Sequence, residues 1–317
     1  MHKTILTIAA LLSLLPAYAF AQQADKPNIL FILVDDWGWT DMSSQGSKYY
    51  ETPNIDRLRK EGMWFSQAYS VGPNCAPSRA SLMTGKYTPR HGIYTVGNAD
   101  RGNSADRRLI PIENNTVLNP AFTTIAEELK NAGYSTGLIG KWQLGGKGKG
   151  ADAHAQGFGH VIGGTGGTSA YFYPYNKEGK TSPHEGVTTG QEGEYLTDRL
   201  TDEALKFLDN NRQKPFFLYL SYFAVHTPIE AKGEIISKYK SKKGDAYHHN
   251  PVYAAMIQSA DEGIGRVLQQ LDELKLAENT LVVFFSDNGG MGAVTAQHPL
   301  RGSKGMLYEG GVRVPLI

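Results

Sequence analysis

The chain has 317 residues, a formal net charge of +1 and a single cysteine. A charge so near zero argues against a general nucleic-acid or acidic-membrane binder, and one thiol excludes an intramolecular disulfide framework. The length admits one large α/β domain or two smaller ones.

Residues 1–21 read as a secretory signal peptide. Lys3 forms a short positive region, Ile5 to Leu15 an apolar core, and Ala19-Phe20-Ala21 a small-x-small cleavage site. Pro16 breaks the apolar run too early for a membrane span. Without Lys3 the basic and acidic residues balance. The expected product is residues 22–317, exported to the periplasm or secreted, with neither membrane nor nucleic acid as partner.

Next, Asn28 to Val34 reads as a continuous buried strand that ends at Asp35-Asp36. Thr52 is expected to cap a helix that opens with Pro53 and closes at Gly62. Cys75-Ala76-Pro77-Ser78-Arg79-Ala80-Ser81-Leu82-Met83-Thr84-Gly85 follows, with Pro77 in the first turn of a second helix. Cys75 therefore sits near a helix N-terminus, where free N–H groups and the positive dipole end suit an anion. The plainer alternative is a small buried thiol.

Thr124 and Glu127 form a candidate capping box for a helix stopping at Gly133, and Tyr134 to Ile139 is a strand ending at Gly140-Lys141. The glycine runs at 145–150 and 163–167 lack a strand-then-helix setting and read as surface loops. Tyr171-Phe172-Tyr173-Pro174-Tyr175 is either core packing, the reading favoured, or a platform for sugar rings. Tyr195 to Asn211 is helical, Phe216 to Ser221 a strand shortly before His226, and Asn250-Pro251 opens a helix reaching about Leu274. Leu281 to Phe285 is another buried strand, ending at Ser286-Asp287-Asn288. Gly311 to Ile317 stops inside what reads as a buried strand, as a truncated chain would.

Alternating strands and helices predict an α/β fold with a mostly parallel central sheet flanked by helices. In such sheets ligands bind beyond the carboxyl ends of the strands, so four polar strand tips should share one cleft. Asp35, Asp36, Asp287 and Asn288 bring carboxylates and an amide oxygen to two tips. Like charges there repel unless a cation joins them, and hard oxygen donors suit Ca²⁺ or Mg²⁺ rather than Zn²⁺. Taken singly, an Asp pair after a strand is equally a solvated turn or a helix cap. His248, His249, His154 and His160 lack partners at ligand spacing and read as surface residues.

The segment Cys75 to Gly85 resembles the sulfatase signature, in which Cys-x-Pro-Ser-Arg directs conversion of the cysteine to formylglycine. Gly133 to Trp142 resembles the second sulfatase signature, and Arg301-Gly302-Ser303-Lys304-Gly305 with Glu309 to Pro315 a third family segment. The resemblance runs from about Lys26 to the end. It implies the alkaline-phosphatase-like fold, with the family's C-terminal subdomain falling outside this chain. It implies a sulfuric ester hydrolase in which Asp35, Asp36, Asp287, Asn288 and residue 75 hold a divalent cation, usually calcium. Residue 75 would be the formylglycine nucleophile, with Arg79 holding the hydrated aldehyde, Lys141 and Lys304 binding sulfate, and His226 assisting the leaving alcohol.

Two partners follow from the resemblance: a sulfated carbohydrate or aryl sulfate substrate, and a formylglycine-generating or sulfatase-maturating enzyme. One position departs from the family. Gln143 stands where the second signature usually has a histidine that removes a proton to expel sulfate, and glutamine does not take up a proton near neutral pH. Turnover is then expected to survive, slowed or supported by another base, for which His298, near Lys304, is the candidate. Two rival readings remain: a phosphonate or phosphodiester hydrolase of the same superfamily, and a catalytically impaired fragment or binding-only relative.

Overall fold

The computed structural model describes residues 26–317, apart from 101, 147, 149 and 180, so the leader expected at 1–21 lies outside the described residues. In chain order the elements are β1 (Asn28–Val34), α1 (Pro53–Glu61), α2 (Cys75–Thr84), α3 (Ile125–Asn131), β2 (Ser135–Gly140) and β3 (His160–Gly163). They continue with α4 (Leu196–Asn211), β4 (Phe216–Ser221), α5 (Gly233–Ser241), α6 (Pro251–Glu273) and β5 (Thr280–Ser286). The five strands make one parallel sheet in the order β3-β2-β4-β1-β5.

A parallel sheet buries both faces, which is why its strands are nearly continuous apolar runs. Successive side chains alternate between the faces. Leu30, Ile32, Val34, Leu218 and Leu220 pack against α4 and α6 through Leu200, Phe207, Ile264 and Leu268. Leu33, Leu138, Phe217 and Tyr219 face the other way, onto Ala80 and Met83 of α2 and Ala126 of α3.

Register places the site. Leu33 of β1 and Gly140 of β2 both lie opposite Ser221 of β4, and Val34 lies opposite Ser286 of β5. Asp35 and Asp287 therefore leave the sheet at one level, with Lys141 one residue short of it. Gly140 has φ +111°, and a Cβ there would stand 1.8 Å from the Ser221 carbonyl oxygen. Only glycine allows the two strand tips to meet this closely.

Several details differ from expectation. Thr52 does precede α1, but its hydroxyl bonds the Asp56 carboxylate (3.2 Å) instead of a backbone N–H. The cap comes from α6: the Asp261 carboxylate accepts from the N–H groups of Asn54 (3.2 Å) and Ile55 (2.9 Å). The Thr124–Glu127 capping box forms as expected. The run at 163–167 is not simply a surface loop, because Gly163 ends β3 and the Gly164 N–H bonds the Gly140 carbonyl. Tyr171 and Tyr175 are fully buried, so the aromatic stretch packs. At the C-terminal end, Leu316 pairs antiparallel with Phe285, and Val314 and Ile317 are buried.

Candidate active site

Four strand tips and one helix start converge. Asp35 and Asp36 follow β1, Lys141 follows β2, His226 follows β4, Asp287 and Asn288 follow β5, and Cys75 opens α2. Lys304 reaches in from the loop after β5. Asp35, Asp36, Cys75, Asp287, Asn288, Arg79 and Lys141 are all at most 1% exposed, a burial that isolated charges do not survive.

The charges are therefore paired. Asp35 Oδ2 bonds Lys141 Nζ and lies 3.5 Å from Arg79, while Asp35 Oδ1 accepts from the Cys75 thiol at 3.3 Å. Asp36 accepts from Lys304 Nζ (2.7 Å) and from the Asn288 amide (2.7 Å), and His226 Nε2 stands 3.8 Å away. Asp287 Oδ2 accepts from Arg79 Nε (3.0 Å) and from its terminal nitrogen (2.8 Å). Arg79 also donates to the Lys141 carbonyl (3.1 Å) and to Ser221 Oγ (2.6 Å). Its N–H groups are thus occupied in joining α2 to β2, β4 and β5.

Burial works against every charge here, and the outcome depends on neighbours. Burial raises Asp35, but Lys141, His226, Arg79 and Lys304 outweigh it and hold this carboxyl well below the usual range. Burial, with the Asp35 charge beside it, pushes Asp287 up to about 6 despite Arg79. Burial and the nearby carboxylates push the Cys75 thiol well up, against the pull of Lys141. These surroundings disfavour the thiolate, in keeping with the bond the thiol donates to Asp35.

Asp35, Asp36, Cys75 and His226 each offer one donor atom, all within 4.8 Å of one another. Asn288 Oδ1 is buried and has no hydrogen-bond partner among the described residues. An orphaned amide oxygen beside clustered carboxylates is what a missing cation leaves behind, so the residues present fit a divalent ion held mainly by oxygen.

His226 is half-buried and its Nδ1 is engaged by the Thr227 carbonyl at 2.8 Å, which turns Nε2 into the cluster. Tyr171, read from sequence only as packing, secures this loop: its hydroxyl donates to the Phe223 carbonyl (2.7 Å) and lies 2.9 Å from that of His226. Ser221 was likewise missed. A serine at the end of an apolar strand gives no signal of its own until Arg79 is placed beside it.

Three positions fall elsewhere. Gln143 lies just past Lys141 with φ +65°, and its buried Oε1 has no partner among the described residues. His298 is exposed and its ring stacks flat on Tyr247 (4.2 Å, 6°), with no bond to Lys304 or the acidic cluster among the described residues. His248 is not a surface residue: it is 4% exposed, stacked on Tyr50 and bonded to the Ala296 carbonyl. His154, His160 and His249 are exposed as expected.

The chain that folds into this parallel sheet, with its buried acidic cluster and two ammonium groups at the carboxyl edge, matches the Sulfatase family model over residues 27–317 and belongs to that family. It is 36% identical over 349 residues to a sulfatase of Formosa agariphila, covering 92% of this chain and 63% of that protein. It is 33% identical to the N-acetylgalactosamine-6-sulfatase of Mus musculus, covering 99% of this chain and 60% of that one. Among solved structures, Ps i-CgsB in complex with k-i-k-neocarrahexaose has a TM-score of 0.78 at 35% identity, over 92% of this chain and 65% of that chain. The chain thus spans under two thirds of the length of these relatives. No helix among the described residues is long and apolar enough to cross a membrane.

Proposed function

We propose that residues 22–317 form the catalytic part of an exported sulfatase that hydrolyses sulfate monoesters on glycans, residues 1–21 being its leader. The observation that carries this reading is the meeting of Asp35, Asp36, Cys75 and Lys141 in one buried cluster, joined from its edge by Lys304, which pairs with Asp36 from 268 residues along the chain. A glycan substrate is supported by the relatives, whose names include an N-acetylgalactosamine-6-sulfatase and a protein in complex with a carrahexaose.

In this reading Cys75 is oxidised to formylglycine by a maturating enzyme, and the hydrate of that aldehyde supplies the nucleophilic oxygen. The cysteine sulfur marks where that oxygen stands. Its position 3.3 Å from Asp35 Oδ1 gives the hydroxyl a proton acceptor. Asp35, Asp36, Asp287 and Asn288 would hold Ca²⁺, which when bound neutralises sulfate charge and acidifies the hydrate. Lys141 and Lys304, fixed by Asp35 and Asp36, present ammonium groups to the sulfate oxygens. His226 in its protonated form donates Nδ1–H to the Thr227 carbonyl and offers the Nε2 proton to the departing alcohol, help worth roughly a hundred- to ten-thousand-fold. Arg79 sets the positions of Asp287 and β4 around the nucleophile and makes its contacts with protein groups.

The test has two parts. Intact mass of the peptide containing residue 75 should show formylglycine after expression with a maturating enzyme. The same material should hydrolyse an aryl sulfate faster than an aryl phosphate diester or phosphonate, and should release sulfate from members of a sulfated saccharide panel. An unmodified thiol with no turnover points to the binding-only relative, and preference for the phosphorus esters points to the superfamily rival.

A further inference from the structure

Asp41 lies six residues beyond Asp35, and it is fully buried without any lysine or arginine partner among the described residues. Its three bonds are to neutral donors on three separate elements. Oδ2 accepts from the Gly38 N–H (2.9 Å), in the loop that carries Asp36, and from the Tyr253 hydroxyl (2.6 Å) on α6. Oδ1 accepts from the Thr295 hydroxyl (2.6 Å), in the loop running from Asn288 to Lys304.

The same hydroxyls reach the backbone around the site. Tyr253 Oη lies 3.2 Å from the carbonyl of Asp36, whose φ of 62° is a left-handed conformation that a residue with a Cβ holds only when its surroundings fix it. Tyr50 donates to Thr295 Oγ1 (3.1 Å), and Thr40 donates to the Ala296 carbonyl (3.0 Å). Lys304 is tied into this loop through its N–H to the Gly290 carbonyl (3.0 Å). One carboxylate therefore couples the loop of Asp36 to the loop of Asn288 and Lys304, with α6 as a rigid support.

We propose that Asp41, with Tyr253 and Thr295, is a positioning unit that holds the two ion-binding loops at the spacing a divalent cation needs. The inference rests on the cation reading of the preceding section. Carboxylates beyond the ligand shell orient ligands in this way, and their loss typically weakens metal affinity about 10- to 100-fold. A carboxylate suits the place because it accepts every bond and donates none. Asparagine would turn an NH₂ group toward a hydroxyl or an N–H.

The experiment is Ca²⁺ titration calorimetry on the full chain, wild type against Asp41→Asn, Tyr253→Phe and Thr295→Val, with thermal unfolding measured with and without Ca²⁺. The expected result is Ca²⁺ binding about 10- to 100-fold weaker in each variant, and a smaller Ca²⁺-induced rise in Tm. Sulfate-ester turnover should recover in Tyr253→Phe at high Ca²⁺. Wild-type Ca²⁺ affinity in Tyr253→Phe and Thr295→Val, with only a lowered Tm, would overturn the proposal and leave the cation reading intact. A wild type that binds no Ca²⁺ would remove the cation reading and this inference with it. Should Asp41→Asn fail to fold, the two hydroxyl deletions decide.

Discussion

Asp35 and Asp261 are both buried aspartates, and their surroundings could hardly differ more. Asp261 caps α1 from α6, receiving N–H groups of Asn54 and Ile55 and the Asn54 side-chain amide, with no lysine or arginine in contact among the described residues. Burial pushes it up to about 6 even though those donors pull the other way. Asp35 receives Lys141, Arg79 and a thiol, and it is held ionised. Asp261 is satisfied by neutral dipoles, whereas Asp35 is kept charged by ammonium and guanidinium groups.

The contrast yields graded expectations. Cys75→Ala should leave fold and melting behaviour nearly unchanged while abolishing sulfate-ester hydrolysis, a loss of at least about 10⁴-fold in kcat. Circular dichroism and an aryl sulfate assay check both halves. Lys141→Ala removes the partner of a fully buried carboxylate and should cost about 3–5 kcal/mol in urea unfolding, besides activity. Asp261→Ala, by comparison, strands only neutral donors at a helix start. It should cost about 1–3 kcal/mol and leave kcat within a factor of two or so of wild type. An equal loss of turnover in both variants would erase the distinction drawn between the two acids.

The pH response of Asp261 can be signed. Its folded value, about 6, lies above an ordinary unfolded value near 3.9, so between these limits the folded chain binds more protons. Its favourable contribution is complete below about pH 4 and disappears as pH rises through 6. The full span amounts to about 3 kcal/mol. Urea midpoints of wild type and Asp261→Asn, taken from pH 4 to 7, should show the steeper decline in wild type. The smallest effect is expected at Gln143→His, which installs a titratable ring beside Lys141 and should raise kcat by about tenfold. No gain on any ester that the wild type hydrolyses would count against a proton-acceptor role at that position.

Much of the architecture was legible because burial on both faces leaves an unmistakable mark. Asn28 to Val34 and Leu281 to Phe285 are uninterrupted apolar runs, and each ends at the acids that matter. β3 was invisible, since His160 to Gly163 is four residues among glycines, and α5 begins at a glycine without a capping residue. Pairing was the other thing hidden from sequence. Nothing in the order of residues says that Arg79 would commit its N–H groups to Asp287, Ser221 and a backbone carbonyl. His248 lies in a polar loop next to another histidine, yet Tyr50 and Ala296 enclose it. His298 is near Lys304 along the chain, but its ring turns to Tyr247.

Residue 75 opens a helix whose first seven residues are all buried, and its side chain is sealed behind two lysines and three aspartates. A catalyst that must enclose the whole cysteine side chain finds it buried in the finished fold. On the formylglycine proposal, the maturating enzyme meets the nascent polypeptide while the segment is still extended, before the strands close over it. Biosynthesis of an active molecule is then a contest of rates, and a mutation that merely hastened folding would lower the yield of competent protein while improving every measure of its stability.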